Sequence, residues 1–232
     1  MSHAVFRRYV RRLENWALPS ACLLCAAQLP ARRYLCAACD AALPWLGPAC
    51  TRCATPLPSA GVCGRCQQQP PRYDAAIAAL RYEPPVAQWV QQLKFQRALA
   101  HARLMGELLA RHLPPAPPID AIVPVPLHAN RLRGRGFNQA LEIARPLAAV
   151  FGIPLSTDAL VRTRATAAQT ELPRARRRAN VRQAFAVRRE LPGLRIAVVD
   201  DVMTTGSTLD GVAAALKRAG AKEVHAWVLA RA

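Results

Sequence analysis

Residues 194–209 read LRIAVVDDVMTTGSTL, and this stretch decides the fold. Ile196, Ala197, Val198 and Val199 form a short continuous apolar run, the pattern of an inner strand of a parallel sheet. Asp200 and Asp201 follow at its carboxyl end, where open α/β sheets bind ligands. Thr204, Thr205, Gly206, Ser207 and Thr208 then offer hydroxyls and backbone amides at the start of a helix, a ready anion site. Leu209, Val212, Ala213 and Leu216 recur at i, i+3, i+4 and i+7 and give that helix an apolar face. Gly220 suits its carboxyl end. Together these pieces suit a ligand with one phosphate and a vicinal diol. The loop would hold the phosphate, and the acids would take the sugar hydroxyls, directly or through Mg²⁺. The pattern GxxxxGK[ST] is missing, which separates this loop from the triphosphate-cradling P-loop.

Working outward, strands and helices alternate. Ala75 to Tyr82 reads as a strand halted by Pro84 and Pro85, and Ile119 to Val125 as another. Further strands are expected near 184–187 and 224–229. Helices are expected over Val86 to Lys94, Leu99 to His112 and Phe137 to Phe151, the last with Pro146 inside it and so open to a bend. This order predicts an α/β domain with a mostly parallel sheet flanked by helices, over residues 73–232. The segment QQQPPR at 67–72 reads as the linker that precedes it.

All eight cysteines lie before residue 67, in four CxxC pairs: Cys22/Cys25, Cys36/Cys39, Cys50/Cys53 and Cys63/Cys66. Ten, ten and nine residues separate successive pairs. Two CxxC knuckles complete one tetrahedral thiolate site, so the array implies two structural Zn²⁺ within a small Cys-rich module over 1–68. Four disulfides are the rival, but nothing in the amino-terminal stretch reads as a secretion signal, since Glu14 and two cysteines interrupt it. Pairing of neighbouring knuckles is the simpler arrangement, with a crossed pairing left open. The module is poor in large apolar residues, so its folding is expected to depend on metal. Phe6, Tyr9, Val10, Leu13 and Trp16 share one face of an expected basic helix ahead of it.

Two more segments carry chemistry. Val123 to Gln139, VPVPLHANRLRGRGFNQ, presents Arg131, Arg133 and Arg135 with glycines between them, a loop that suits a pyrophosphate group. Lys94 is a further candidate for the same side. Residues 162–189 hold nine arginines against one acid, Glu171. A polar stretch this long inside a compact domain suits a hood that closes over a ligand.

Net charge is +18, and only Lys94, Lys217 and Lys222 are lysines. The charge has two readings. One is a polyanionic partner such as single-stranded DNA. The other is an Ala- and Arg-rich composition that names no partner. No run approaches the ~18 apolar residues a bilayer span needs, and a cytoplasmic protein is expected.

The 196–208 segment resembles the 5-phosphoribosyl-1-pyrophosphate (PRPP) motif of type I phosphoribosyltransferases. That resemblance implies that Thr204, Thr205, Gly206, Ser207 and Thr208 bind the 5-phosphate. It also implies that Asp200 and Asp201 serve catalysis by binding the ribose hydroxyls, with Mg²⁺ as cofactor. The whole chain resembles the ComF family, double-zinc-ribbon proteins with a phosphoribosyltransferase-like domain. The likeness rests on the four knuckles, on LKF at 93–95, on PVPLHxxRLRxRGFNQ at 124–139 and on VVDDVMTTGSTL. It continues through Gln169, Leu172, Arg178, Asn180, Val181 and Phe185. It implies PRPP binding and a link to DNA uptake in natural competence, with single-stranded DNA, a helicase or another uptake protein as partner. The alternative it leaves is a non-catalytic PRPP- or nucleotide-sensing protein, or an adaptor. One departure bears on the acceptor. Thr204 stands where 6-oxopurine phosphoribosyltransferases often carry an aspartate base, and a threonine does not take a proton at neutral pH, so a hypoxanthine or guanine acceptor is not implied.

Overall fold

The computed structural model describes residues 20–30, 33–163 and 184–232. The expected amino-terminal basic helix and most of the expected hood lie outside these residues. The chain divides into two compact units, one ending at Pro44 and one beginning at Trp45.

The first unit holds strands β1 (Ser20–Ala21) and β2 (Gln28–Leu29), paired antiparallel, and a short helix α1 (Ala37–Ala41). The second unit opens with the second pair of knuckles and the short helix α2 (Gly64–Gln68). It continues through β3 (Ala75–Arg81), α3 (Val86–Gln96), α4 (Leu99–His112), β4 (Ala121–Pro124), α5 (Ala129–Arg135) and α6 (Gln139–Phe151). It closes with β5 (Leu160–Arg162), β6 (Phe185–Val187), β7 (Arg195–Met203), α7 (Ser207–Arg218) and β8 (Glu223–Arg231). The sheet-bearing unit therefore begins ahead of Cys50 and includes the second cysteine group.

Four strands form one parallel sheet in the order β3-β8-β7-β4. β7, the strand anticipated from its apolar run, lies inside the sheet with β8 on one side and β4 on the other. It reaches beyond the expected end at Val199, through both aspartates to Met203. Alternation along the strand sends neighbouring side chains to opposite faces. Val198 joins Leu209, Val212 and Leu216 of α7 in the core on one face. On the other, Trp227 of β8 meets Phe151 of α6, ring centroids 6.1 Å apart. The helix α6 continues through Pro146, and Gly106 of α4 lies against it. A Cβ at Gly106 would come 2.5 Å from the Ile143 carbonyl oxygen, so only glycine permits this approach.

Both margins of the sheet are occupied. Trp45 bridges Leu80 of β3, and Leu46 donates its N–H to the Ala79 carbonyl at 2.9 Å. On the far side Ile122 of β4 bridges Leu155, donating to Pro154 and accepting from Ser156. β5 and β6 form a separate antiparallel pair. The stretch 129–135, expected as an open basic loop, is instead helical, begun by His128, whose Nδ1 accepts from the Asn130 N–H. Gly136, with φ of +82°, ends it.

Candidate active site and metal centres

The aspartates lie within the carboxyl-terminal part of β7, with Asp200 in register with Val228 of β8. Asp201 is 4% exposed, and its Oδ2 forms an ion pair with Nζ of Lys94 from the last turn of α3. Asp200 accepts the Asp201 N–H on Oδ1 at 2.9 Å. Burial, and then the neighbouring Asp201 charge, raise the Asp200 carboxyl well above the usual carboxylate range. Two adjacent acids in a desolvated corner are a hard-oxygen donor set that suits a divalent cation or a sugar diol.

The chain then turns into the hydroxyl loop. Gly206, with φ of +77°, caps α7, and a Cβ there would sit 2.9 Å from the Tyr73 hydroxyl. The Thr205 and Ser207 hydroxyls lie 2.8 Å apart, and the Ser207 N–H donates to Thr205 Oγ1. The loop backbone stays compact, and the first amides of a 12-residue helix follow it.

Helicity sorts the three arginines of α5. Positions 131 and 135 are i and i+4 and share a face, whereas 133 points elsewhere. Arg135 is half-buried, bonds Gln139 Oε1 at 2.6 Å and feels the Asp201 charge. Arg133 is exposed and bonds Asn130 of its own helix. Arg162, the first residue of the expected hood segment, was counted there among its nine arginines and given no site role of its own. Its guanidinium lies 5.5 Å from the Phe185 ring centroid and is within electrostatic reach of Arg131 and Asp200. Lys94 stands at the acids. Phe95 beside it is 79% exposed.

A second missed residue is Arg231. Its Nη1 donates to the Met203 and Thr204 carbonyls at 2.9 and 2.5 Å, and its Nε and Nη2 donate to the Cys53 carbonyl and Thr55 Oγ1 at 3.2 and 3.1 Å. No local pattern announces such a residue, because these partners, three carbonyls and a threonine hydroxyl, are far away in sequence.

The cysteines gather as two groups of four, Cys22/Cys25/Cys36/Cys39 and Cys50/Cys53/Cys63/Cys66. Neighbouring knuckles pair, which resolves the alternative left open by spacing. Within each group the four sulfurs lie within 4.8 Å of one another. Cys25 and Cys36 sulfurs are 3.8 Å apart, and Cys53 and Cys63 sulfurs 3.6 Å. A tetrahedron with Zn–S bonds of about 2.3 Å has edges of about 3.8 Å, so the sulfurs fit zinc, whereas a disulfide needs about 2.05 Å. Burial pushes the Cys50 thiol up, but amide donation from Cys63, Arg52 and Cys53 outweighs it and brings the thiol to about 6. Cys22 is brought to about 6 in the same way, with Cys25 and Cys36 among the donors. Such amides favour the thiolate that binds metal.

Against known proteins, residues 13–67 match the family described as a double zinc ribbon domain, and residues 138–232 match the phosphoribosyl transferase domain. The "DNA utilization protein YhgH" of Salmonella typhi is 41% identical over 175 residues, 73% of this chain and 77% of its own. The "Competence protein F" of Haemophilus influenzae is 35% identical over 179 residues, 73% of this chain and 78% of its own.

The chain belongs to the ComF family.

Its zinc clusters are the two halves of the ComF double zinc ribbon, and its parallel sheet is the phosphoribosyltransferase-type domain. Among solved structures, the allosteric regulatory enzyme of purine biosynthesis is 26% identical with a TM-score of 0.38, covering 55% of this chain. This ComF-family chain spans a quarter of that enzyme's length. Among the described residues, no helix is long and apolar enough to cross a membrane.

Proposed function

We propose that this chain binds PRPP or a related phosphoribosyl ligand, with Mg²⁺, as a phosphoribosyltransferase-type protein linked to DNA uptake or nucleotide metabolism in the cytoplasm. The carrying observation is the direct run of β7 through Asp200 and Asp201 into the 204–208 loop and the amino end of α7. The loop amides and hydroxyls would hold the 5-phosphate, and the two carboxylates would orient the ribose hydroxyls or hold the cation. Bound magnesium would neutralise charge on the departing pyrophosphate. Arg135 and Arg131 would face that group, and Arg162 would add a third guanidinium. In transfer, the bond from ribose C1 to pyrophosphate breaks, an acceptor nucleophile bonds to C1, and the acceptor gives up its proton. The zinc ribbons would be structural, since four thiolates leave no open metal position.

Calorimetry of the zinc-loaded full chain with PRPP and Mg²⁺ tests this. Saturable heat is expected from the wild type and none from the double variant Asp200→Asn/Asp201→Asn. No heat from the wild type would end the reading.

A second reading is single-stranded DNA binding, favoured by the net charge of +18 and by exposed Phe95 beside Lys94. Stacking of bases on exposed aromatic rings within a basic surface is how such strands are held without base reading. Affinity for an oligonucleotide should fall steeply with salt and weaken in Phe95→Ala. Binding that ignores both changes would remove this reading.

A further inference from the structure

The second cysteine group and the 204–208 loop are fastened to each other. Arg231 lies in register with Met203 on the neighbouring strand, β8. Its guanidinium uses both nitrogens of its fork and Nε at once. One side takes the Met203 and Thr204 carbonyls where β7 runs out, together with the Ala232 carbonyl. The other takes the Cys53 carbonyl and Thr55 Oγ1, and that hydroxyl lies 3.2 Å from Cys53 Sγ. A second strap comes from Arg65, between Cys63 and Cys66, which donates to the Thr205 carbonyl at 3.5 Å. Tyr73 lies between them, its hydroxyl under Gly206 and 4.0 Å from Met203 Sδ. Cys53, Arg65, Tyr73, Thr205, Gly206 and Arg231 are among the residues that line a cavity of about 270 Å³ between the cysteine group and the loop. The contact is thus concentrated in a few polar straps.

We propose that Arg231 is a positioning residue: it ties the 204–208 loop to the cluster of Cys50, Cys53, Cys63 and Cys66, so that zinc at this cluster sets the loop geometry for the 5-phosphate. The inference rests on the phosphoribosyl reading of the loop. Amides that bind an anion are effective only when held at the right spacing before the anion arrives. The 204–208 loop has an exposed start at Thr204 and Thr205, and two of its carbonyls are held by arginines. Arg231 reaches those carbonyls with a planar five-donor fork that lysine cannot reproduce. Its other anchor, the Cys53 carbonyl, belongs to a knuckle whose fold depends on metal. Loss of that zinc removes the fixed end of the strap.

The test uses the full-length zinc-loaded chain with Arg231→Ala and Arg231→Lys. Arg195→Ala is the control, since Arg195 pairs with Asp120 at the opposite end of β7. Amide exchange over residues 204–208 reads the fastening. Dissociation constants for Mg²⁺–PRPP and Mg²⁺–pyrophosphate read its consequence. Arg231→Ala should exchange faster across the loop and lose about tenfold in PRPP affinity, with pyrophosphate affinity changed by less than about twofold. Zinc content should stay at two per chain. Arg231→Lys, which keeps the charge and loses the fork, should fall between, and it carries the test if the alanine variant does not fold. Unchanged exchange, or equal losses for the two ligands, overturns the proposal. A wild type that binds no PRPP defeats the phosphoribosyl reading and with it the ligand consequence, while the exchange arm still decides the fastening.

Discussion

Lys94 pairs with Asp201 at the carboxyl end of β7, one partner a quarter exposed and the other nearly buried. The helix α3 therefore delivers a cation to the acids rather than to a separate anion subsite. Any cation or sugar that comes to Asp201 must share it with the ammonium group.

The pair is testable by a double-mutant cycle in urea. Lys94→Met strands a buried carboxylate and should destabilise the chain by about 2–4 kcal/mol. Asp201→Asn in the same chain should recover part of the loss, with a coupling of about 1–3 kcal/mol. Additive effects of the two substitutions would show that the ion pair carries no energy.

Asp200 gives a pH signature. Its folded carboxyl is raised, so the native state holds the proton more tightly than the unfolded chain. Its contribution to stability is full below the unfolded carboxylate value and is lost as pH rises through the raised folded value. Asp200→Asn should melt higher than wild type at neutral pH, and the gap should close on acidification toward pH ~4. The same variant should bind PRPP poorly. A melting temperature at neutral pH at or below that of wild type would contradict the assignment of strain to this carboxyl.

The arginines of α5 should separate by face. Arg135→Ala should weaken Mg²⁺–pyrophosphate binding by about tenfold, whereas Arg133→Ala should leave it within about twofold. Equal losses would mean that the arginines act as a diffuse field and not from one side of the helix.

Zinc should leave in two stages. The first cluster contains exposed Cys25, while in the second three of the four cysteines are buried. Chelator should strip one zinc early and one late, followed by a metallochromic dye. Cys25→Ser should abolish the early stage, and Cys53→Ser the late one. Release of both ions in a single phase would show that the clusters are equivalent.

Much of this was legible in the chain. The 196–208 segment announced a buried strand, its acids and a hydroxyl loop that starts a helix, because each signal is local and the three follow in order. The knuckles announced the metal for the same reason, and their pairing alone waited on the structure. The helix over 99–112 was read to the residue because its apolar spacing is regular and Pro114 limits it. By contrast 129–135 read as a loop, since Gly134 and three arginines hide a helix that His128 starts and Gly136 ends. The strand β5 was missed because three residues carry no period. Arg231 was invisible, since what makes it matter is the meeting of two segments 178 and 28 residues away.

The blocked margins of the sheet limit how this molecule meets others. With Trp45 and Leu46 laid along β3, and the stretch 154–156 along β4, the main-chain hydrogen-bonding seams are taken at both borders. Among the described residues, an incoming polypeptide meets main-chain groups already paired at these positions. A partner that meets either border of the sheet must therefore be held through side chains.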